Sequence, residues 1–226
     1  MIVFNHIPRT AGTFIVEKIR ASGLCDGPRI DLRRREKWIP TMHCDRFYRP
    51  RMLTYHCSGI EFGNAYQRHP GDFTFTFLRN RVDMIYSNFA YMSVRVRRGD
   101  RFSGWPAQRY EYYRGSVRQH VDNVLRGKED DTYPSDLTLY DFIGVTEDMD
   151  RSLNVLNKVL GTALSNDQHI NCVASEKTYR RAELETKFAA QIEIHARARE
   201  ILHGTRYDSL KPLAEPNPRQ HKALRD

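Results

Sequence analysis

Residues 2–13 read IVFNHIPRTAGT, a short apolar run that breaks at Pro8 and continues with a cation, two hydroxyls and a glycine. Residues 2–4 predict a buried strand. Apolar residues at helical spacing predict a helix over 12–21, which Gly23 is placed to end. A strand, a polar turn and a helix in this order indicate an α/β domain.

The turn between this strand and this helix has the chemistry of an anion site. The start of a helix exposes unpaired N–H groups and the positive end of the helix dipole, so a phosphate or sulfate is favoured there. Arg9, Thr10 and Thr13 add side-chain donors. The turn is not a Walker A loop, which needs a lysine where Thr13 follows Gly12. An ordinary strand-to-helix junction would explain the same residues, so a second anion site is needed to choose between the two interpretations.

The length and charge of the chain limit its domain number and the kinds of partner it can bind. Its 226 residues are enough for one domain, or for one domain with an insertion. The net charge of +8 suits nucleic acid, an anionic polysaccharide or a phosphorylated cofactor. We find no window of about eighteen apolar residues and no signal-peptide pattern, so we expect a soluble, cytoplasmic chain.

The cysteines do not indicate a disulfide scaffold or a metal site. Four are present without a Cys-x-x-Cys pair, so we expect free thiols. The pairs His43-Cys44 and His56-Cys57 could in principle supply a tetrahedral zinc site. Adjacent ligands would strain a single centre, so we expect no metal.

A second strand, polar turn and helix follow at residue 73. Residues 73–78 alternate aromatic and β-branched side chains, which predicts a strand covered on both faces. Arg79 follows the strand, and a helix begins near Val82. Ser87 lies eight residues beyond Arg79, so the helix can bring its hydroxyl back towards the arginine, and the two could clasp one phosphate. Alternatively, Arg79 pairs with a carboxylate and Ser87 is an incidental helix residue.

Both turns follow strands, and in a parallel sheet such turns open on the same crevice. Two anion sites on one crevice suggest a ligand with charge at both ends.

The segments HIPRTAGT (6–13) and FLRNRVDMIYSNF (77–89) resemble motifs of the sulfotransferases that use 3′-phosphoadenosine-5′-phosphosulfate (PAPS). The resemblance is greatest to the carbohydrate branch related to heparan sulfate 2-O-sulfotransferases. It implies a mostly parallel sheet flanked by helices, in the P-loop-NTPase-like sulfotransferase architecture. It also implies a 3′-phosphate site at Arg79 and Ser87. The phosphosulfate loop that it implies comprises Arg9, Thr10, Ala11, Gly12, Thr13 and Phe14.

The resemblance continues at residues 142–147 and at 170–177, where the family closes a loop over the nucleotide. It implies Asn171 and Lys177 as further cofactor-binding residues. The chain departs from the family pattern where Arg9 replaces a lysine. Arginine keeps the charge and forks well onto phosphate oxygens but does not donate a proton, so the resemblance gives Arg9 the role of an electrostatic stabiliser of the leaving group.

Three further departures lie in the second motif: Asn80 and Arg81 stand in place of an aspartate–proline pair, and Met84 stands where arginine is common.

The acceptor hydroxyl needs a general base, for which histidine is best tuned near neutral pH. The related branch places a Tyr-His segment between the two cofactor motifs, and the resemblance therefore implies His56 as the base. His6 and His43 are the rivals.

A basic and aromatic insertion is predicted at about 93–135, where arginines alternate with aromatic residues. Aromatic faces stack on sugar rings, and guanidinium groups fork onto anions, so we place acceptor recognition here. A helix with a solvated charged face is the alternative. The candidate acceptor-binding residues are Arg95, Arg98, Trp105 and Tyr112.

Two further helices are predicted in the second half of the chain. One begins at Thr146 and ends at Gly161. The other spans the apolar stripe from Leu184 to Leu202, in which His195 reads as a packed or rim histidine. The proline-rich residues 211–226 predict a frayed tail.

The sequence thus predicts a single α/β domain over 1–210. Its predicted function is transfer of a sulfuryl group from PAPS to a hydroxyl of a carbohydrate or glycoconjugate, without a metal and without nucleic acid as a partner. A P-loop-like kinase is the first alternative, although the Gly-Lys-[Ser/Thr] signature and a clear magnesium motif are missing. A nucleic-acid-binding module is the second, supported by the charge and the insertion.

Overall fold

The computed structural model describes residues 2–22, 24, 29–30, 52–55, 59–102, 104–127, 133–134, 136–166 and 178–213. Several residues named above lie outside these ranges, and nothing structural follows for them: Gly23, His43, His56, Asn171, Lys177, the four cysteines and most of the tail.

A five-stranded sheet with all strands parallel forms the centre of the fold, in the order β2-β3-β1-β4-β5. In register, Ile2 lies between Met52 and Phe73. The predicted α/β class is therefore confirmed, and the architecture is consistent with the P-loop-like sulfotransferase fold that the resemblance implies. The strands are β1 (Ile2–Asn5), β2 (Arg29–Ile30), β3 (Met52–Tyr55), β4 (Phe73–Leu78) and β5 (Phe142–Val145).

Parallel strands require long crossovers, and helices supply several of them. Within the described residues the helices are α1 (Gly12–Ala21), α2 (Gly59–Ala65), α3 (Arg81–Arg97), α4 (Ala107–Arg114), α5 (Val117–Arg126), α6 (Met149–Leu160), α7 (Arg181–Lys187) and α8 (Ala189–His203). No helix in this part of the chain has the length and apolar composition that a membrane crossing needs.

The main core lies around β1 and β4. Every residue of β4 is buried, as the alternation of aromatic and β-branched residues predicts for a strand covered on both faces. The rings of Phe4 and Phe75 stack across the two strands with their centroids 4.5 Å apart. Helix α1 has the predicted bounds and buries Ile15 and Ile19 against this layer.

The C-terminal helices follow the prediction only in part. A single 3-10 turn over Thr146–Asp148 precedes α6, and Gly161 ends α6 with a φ of 65°. The apolar stripe from Leu184 to Leu202 is predicted as one helix, but the structure has two helices there. Phe188 leaves the helical conformation between α7 and α8. Its ring is buried with Val82 and Leu184 in a second core, and this packing explains why the apolar spacing continues across the break.

The insertion packs against α3 through α4 and α5. Its buried residues include His120, whose ring stacks on Phe89 at a centroid distance of 5.0 Å. Burial lowers the pKa of His120 to about 4; its hydrogen bond to the Ile85 carbonyl opposes this shift, and the charge of Arg81 adds to it. The Tyr112 hydroxyl is hydrogen-bonded to Nδ1 of this ring.

This buried histidine predicts acid sensitivity of the fold. Below the unfolded pKa of about 6.5, the unfolded chain binds a proton that folded His120 does not, so stability falls as the pH drops towards 4. We expect the contribution of His120 to fall by about 2 kcal/mol between pH 7 and pH 5. Urea denaturation at both pH values measures it. A His120→Gln variant is expected to lose most of this pH dependence, whereas the exposed control His69→Gln should keep it; equal slopes in all three proteins would contradict the assignment.

Candidate anion-binding site

The two turns predicted to bind anions lie side by side. They follow β1 and β4, which are neighbours in the sheet and point the same way. From β1 the chain goes to β2 and β3 on one side, and then to β4 and β5 on the other. The strand order reverses here, and ligands of open parallel sheets bind outside the carboxyl ends of the strands at such a reversal.

The turn after β1 has an unusual backbone. Arg9 and Ala11 both have positive φ angles, 70° and 63°, in a region that non-glycine residues seldom occupy. Gly12 follows, and a Cβ atom there would lie 1.7 Å from Cδ2 of His6. Only glycine therefore allows the imidazole of His6 to lie across the start of α1, where it is also stacked on Phe4. His6, the rival candidate for the base, has a packing role in this turn.

The start of α1 leaves backbone donors for a ligand. Ala11 is the N-cap, and its side chain cannot accept a hydrogen bond. The N–H groups of Gly12, Thr13 and Phe14 have no acceptor among the described residues. Three such groups at the positive end of a helix dipole favour an anion.

Two side chains of the predicted loop face elsewhere. The Thr10 hydroxyl, expected to donate to the anion, is buried and instead donates to the Ile7 carbonyl at 2.8 Å, which uses its one hydrogen to brace the turn. The Phe14 ring lies in the main core, so only the backbone of this residue is open to a ligand.

Two arginines converge on Ser87 from different turns. Nη1 of Arg79 donates to Oγ of Ser87 at 3.0 Å, as the spacing along the chain predicts. Nη2 of Arg9 donates to the same Oγ at 3.3 Å and to the Ser87 carbonyl at 3.2 Å. In the described part of the chain, neither guanidinium pairs with a carboxylate, which counts against the alternative reading of Arg79.

Arg9 is also held by an aromatic ring. Its guanidinium carbon lies 4.0 Å from the ring centroid of Tyr91, one helical turn beyond Ser87. Burial lowers the pKa of Arg9 to about 10; Tyr91 raises this pKa and the neighbouring charge of Arg79 lowers it further. Arg9 therefore remains charged at neutral pH.

The turn of Arg79 is braced from its far side. Asn80 caps α3, because its Oδ1 accepts from the N–H groups of Val82 and Asp83. This capping explains why asparagine serves where the family pattern has aspartate. The N–H of Asn80 donates to Glu147 at 2.7 Å, and the other carboxylate oxygen of Glu147 lies 2.9 Å from Nε2 of His195.

The Glu147 carboxylate links the turn that carries Arg79 to α8, which contains His195. Burial raises the pKa of Glu147, but its hydrogen bonds with His195 and Asn80 hold that pKa below the ordinary value, so it is ionised at neutral pH. His195 is buried, as its place in the apolar stripe indicates.

Of the four candidate acceptor-binding residues, Arg95 lies in α3 and Tyr112 in α4, while Arg98 and Trp105 lie in the connection between these helices. Three of the four contact other residues of the predicted insertion. Arg95 pairs with Asp100 and lies over Phe102. The Trp105 ring stacks on that of Phe102 at 4.4 Å, and the Tyr112 hydroxyl is bonded to His120. Arg98 is exposed at the end of α3. The aromatic residues thus form a small core of their own, and acceptor binding by these four residues stays a prediction.

Tyr91 and Glu147 are the residues of this site that sequence reasoning missed. Tyr91 lies four residues after Ser87, so helical spacing places it on the same face of α3 and could have identified it. Glu147 ends the segment 142–147 that resembles the family, but its contact with Asn80 spans 67 residues, and no local pattern indicates such a contact.

No protein-family model matches the chain, and no curated protein matches it. Among solved structures, the chain is similar to the mouse sulfotransferase SULT7A1 complexed with PAP. The identity is 12%, the TM-score is 0.37, and the similarity covers 99% of this chain and 81% of that one. A similarity at this level supports no functional conclusion by itself.

Proposed function

We propose that this protein transfers a sulfuryl group from PAPS to an acceptor hydroxyl. The observation that carries the proposal is the convergence of Arg9 and Arg79 on Ser87, beside the uncapped start of α1. Guanidinium groups, hydroxyls and backbone N–H groups all donate, so this crevice suits a ligand rich in anionic oxygens. The two motifs that resemble the sulfotransferases are the ones that meet here.

The donor set fits PAPS on two grounds. Nε of Arg9 is out of contact with solvent and has no hydrogen-bond partner in the described chain, so the guanidinium has capacity left for a ligand. Both charged groups that contact Ser87 are guanidinium groups, which is the donor chemistry that a phosphorylated ligand requires. We assign the 3′-phosphate to Arg79 and Ser87, and the phosphosulfate to the N–H groups of residues 12–14.

In sulfuryl transfer, the protein mainly orients the reactants and stabilises the charge that develops in the transition state. PAPS, when bound, supplies the sulfuryl group and a bisphosphate leaving group. The N–H groups at the start of α1 are fixed by the helix, so they do not have to reorganise as charge develops. Glu147 and Asn80 hold the turn that carries Arg79.

The acceptor side of the proposal depends on the resemblance. We propose a hydroxyl of a carbohydrate or glycoconjugate as the acceptor, with Arg98 as the candidate residue at the end of α3 that is open to it. His56, outside the described residues, stays the proposed general base.

A ligand panel tests the proposal against its alternatives. We expect adenosine 3′,5′-bisphosphate to raise the Tm of the full chain in a thermal-shift assay, because ligands that bind the folded state stabilise it. Stabilisation by ATP and Mg²⁺ alone would favour a kinase instead. Stabilisation by oligonucleotides alone would favour a nucleic-acid-binding module. Either result would overturn the proposal.

A further inference from the structure

Ser87 brings together the two arginines that the sequence assigns to opposite ends of a ligand. Its Oγ accepts from Arg79 at 3.0 Å and from Arg9 at 3.3 Å, which uses both acceptor positions of a hydroxyl. The hydroxyl hydrogen has no acceptor in the described residues. Two cations and one free donor therefore meet at a single point.

Two like charges at one point call for an anion between them. Burial and the neighbouring Arg79 both lower the pKa of Arg9, so the pair has an electrostatic cost in the absence of a counter-charge. A phosphate monoester carries close to two negative charges at neutral pH and offers three oxygens, enough for both guanidinium groups and for Ser87.

The Tyr91 ring lies against the guanidinium group of Arg9. The guanidinium lies over its ring at 4.0 Å, a contact that favours a cation. The Tyr91 hydroxyl takes a separate hydrogen bond from Arg95 at 3.2 Å, so the ring and the hydroxyl serve different partners.

We propose that Arg9 binds the same phosphate monoester as Arg79 and Ser87, with Tyr91 as the residue that positions it. The inference rests on the proposed function and assigns Arg9 to the 3′-phosphate of the nucleotide rather than to the leaving-group end. Arg9 then determines selectivity for nucleotides that carry a 3′-phosphate. Stabilisation of the leaving group falls to the N–H groups of residues 12–14.

The test uses two nucleotides that differ only at the 3′ position. The affinities of adenosine 3′,5′-bisphosphate and adenosine 5′-phosphate are measured by titration calorimetry for the parent, for Arg9→Ala and for Arg20→Ala, an exposed arginine of α1. We expect Arg9→Ala to weaken the bisphosphate at least about tenfold, as for the loss of one charge-assisted contact, and to leave the 5′-phosphate within about twofold. Arg20→Ala should match the parent for both.

Two variants of Tyr91 distinguish loss of the ring contact that positions Arg9 from a general disturbance of α3. Tyr91→Leu removes the ring and should lose affinity for the bisphosphate as Arg9→Ala does. Tyr91→Phe keeps the ring and should restore parental affinity, although it loses the bond from Arg95.

The outcomes separate this inference from the proposed function. Equal weakening of both nucleotides by Arg9→Ala would place Arg9 at the 5′ end and overturn the inference, while the proposed function would stand. Loss of affinity in Tyr91→Phe would overturn the positioning role of the ring. Failure of the parent protein to bind either nucleotide would overturn both the inference and the proposed function.

Discussion

Arg79→Ala is expected to abolish the thermal stabilisation of this protein by adenosine 3′,5′-bisphosphate. Arg79 has one described partner, Ser87, so its removal leaves no buried carboxylate unpaired, and the fold should tolerate it. A charge-assisted hydrogen bond contributes about 1.5–3 kcal/mol, which corresponds to roughly a 10- to 150-fold loss of affinity. Titration calorimetry gives the affinity directly, and the shift in Tm should vanish at ligand concentrations close to the Kd of the parent.

The control is Arg20→Ala, which removes the same charge from an exposed position of α1. It should keep the full shift in Tm, because long-range charge effects at an exposed site are screened by salt. If Arg79→Ala binds the bisphosphate as tightly as the control does, the site proposed for the 3′-phosphate is in the wrong place.

Gly12→Ala is expected to cost about 3 kcal/mol of stability, the upper end of the usual cost of overpacking and a large effect for one methyl group. The added Cβ would lie 1.7 Å from Cδ2 of His6 and 2.2 Å from Nε2. The His6 ring has little room to move away from the added methyl group, because it is buried and lies parallel to the Phe4 ring at a centroid distance of 5.7 Å. Urea denaturation followed by circular dichroism measures the loss.

A second substitution identifies the cause. His6→Ala removes the ring that the methyl group would meet, so Gly12→Ala should cost much less in that background. Additive effects of the two substitutions would mean that the contact with His6 is not what requires glycine. The same requirement explains why a glycine in this turn is no evidence by itself for a phosphate cradle.

Local patterns predicted the elements that build this site. The apolar spacing of residues 12–21 and the alternation of 73–78 match α1 and β4, because burial on one stripe or on two faces leaves a period in the sequence. The pairing of Arg79 with Ser87 followed from the spacing within one turn and helix.

Contacts between distant segments were not predictable in this way. The bond from Arg9 to Ser87 spans 78 residues, and it depends on the left-handed backbone of Arg9 as well as on the register of β1 against β4. Similarly, the alternation of arginine and aromatic residues in the insertion does not say whether the rings face a ligand or each other. The structure places Phe102 and Trp105 in contact, so much of this aromatic surface is used within the protein.

The position of β1 in the sheet has a consequence for synthesis on the ribosome. This strand pairs with residue 52 and with residue 73 at its first position, so both partners emerge well after it. At about 5–20 residues per second, roughly 4–14 s separate β1 from β4. Until β3 has been made, the Ile2-Val3-Phe4 strand has no partner for its backbone groups, and its other edge stays unpaired until β4 follows. The strand that leads into half of the crevice is therefore an unpaired apolar segment while the first part of the chain is being made.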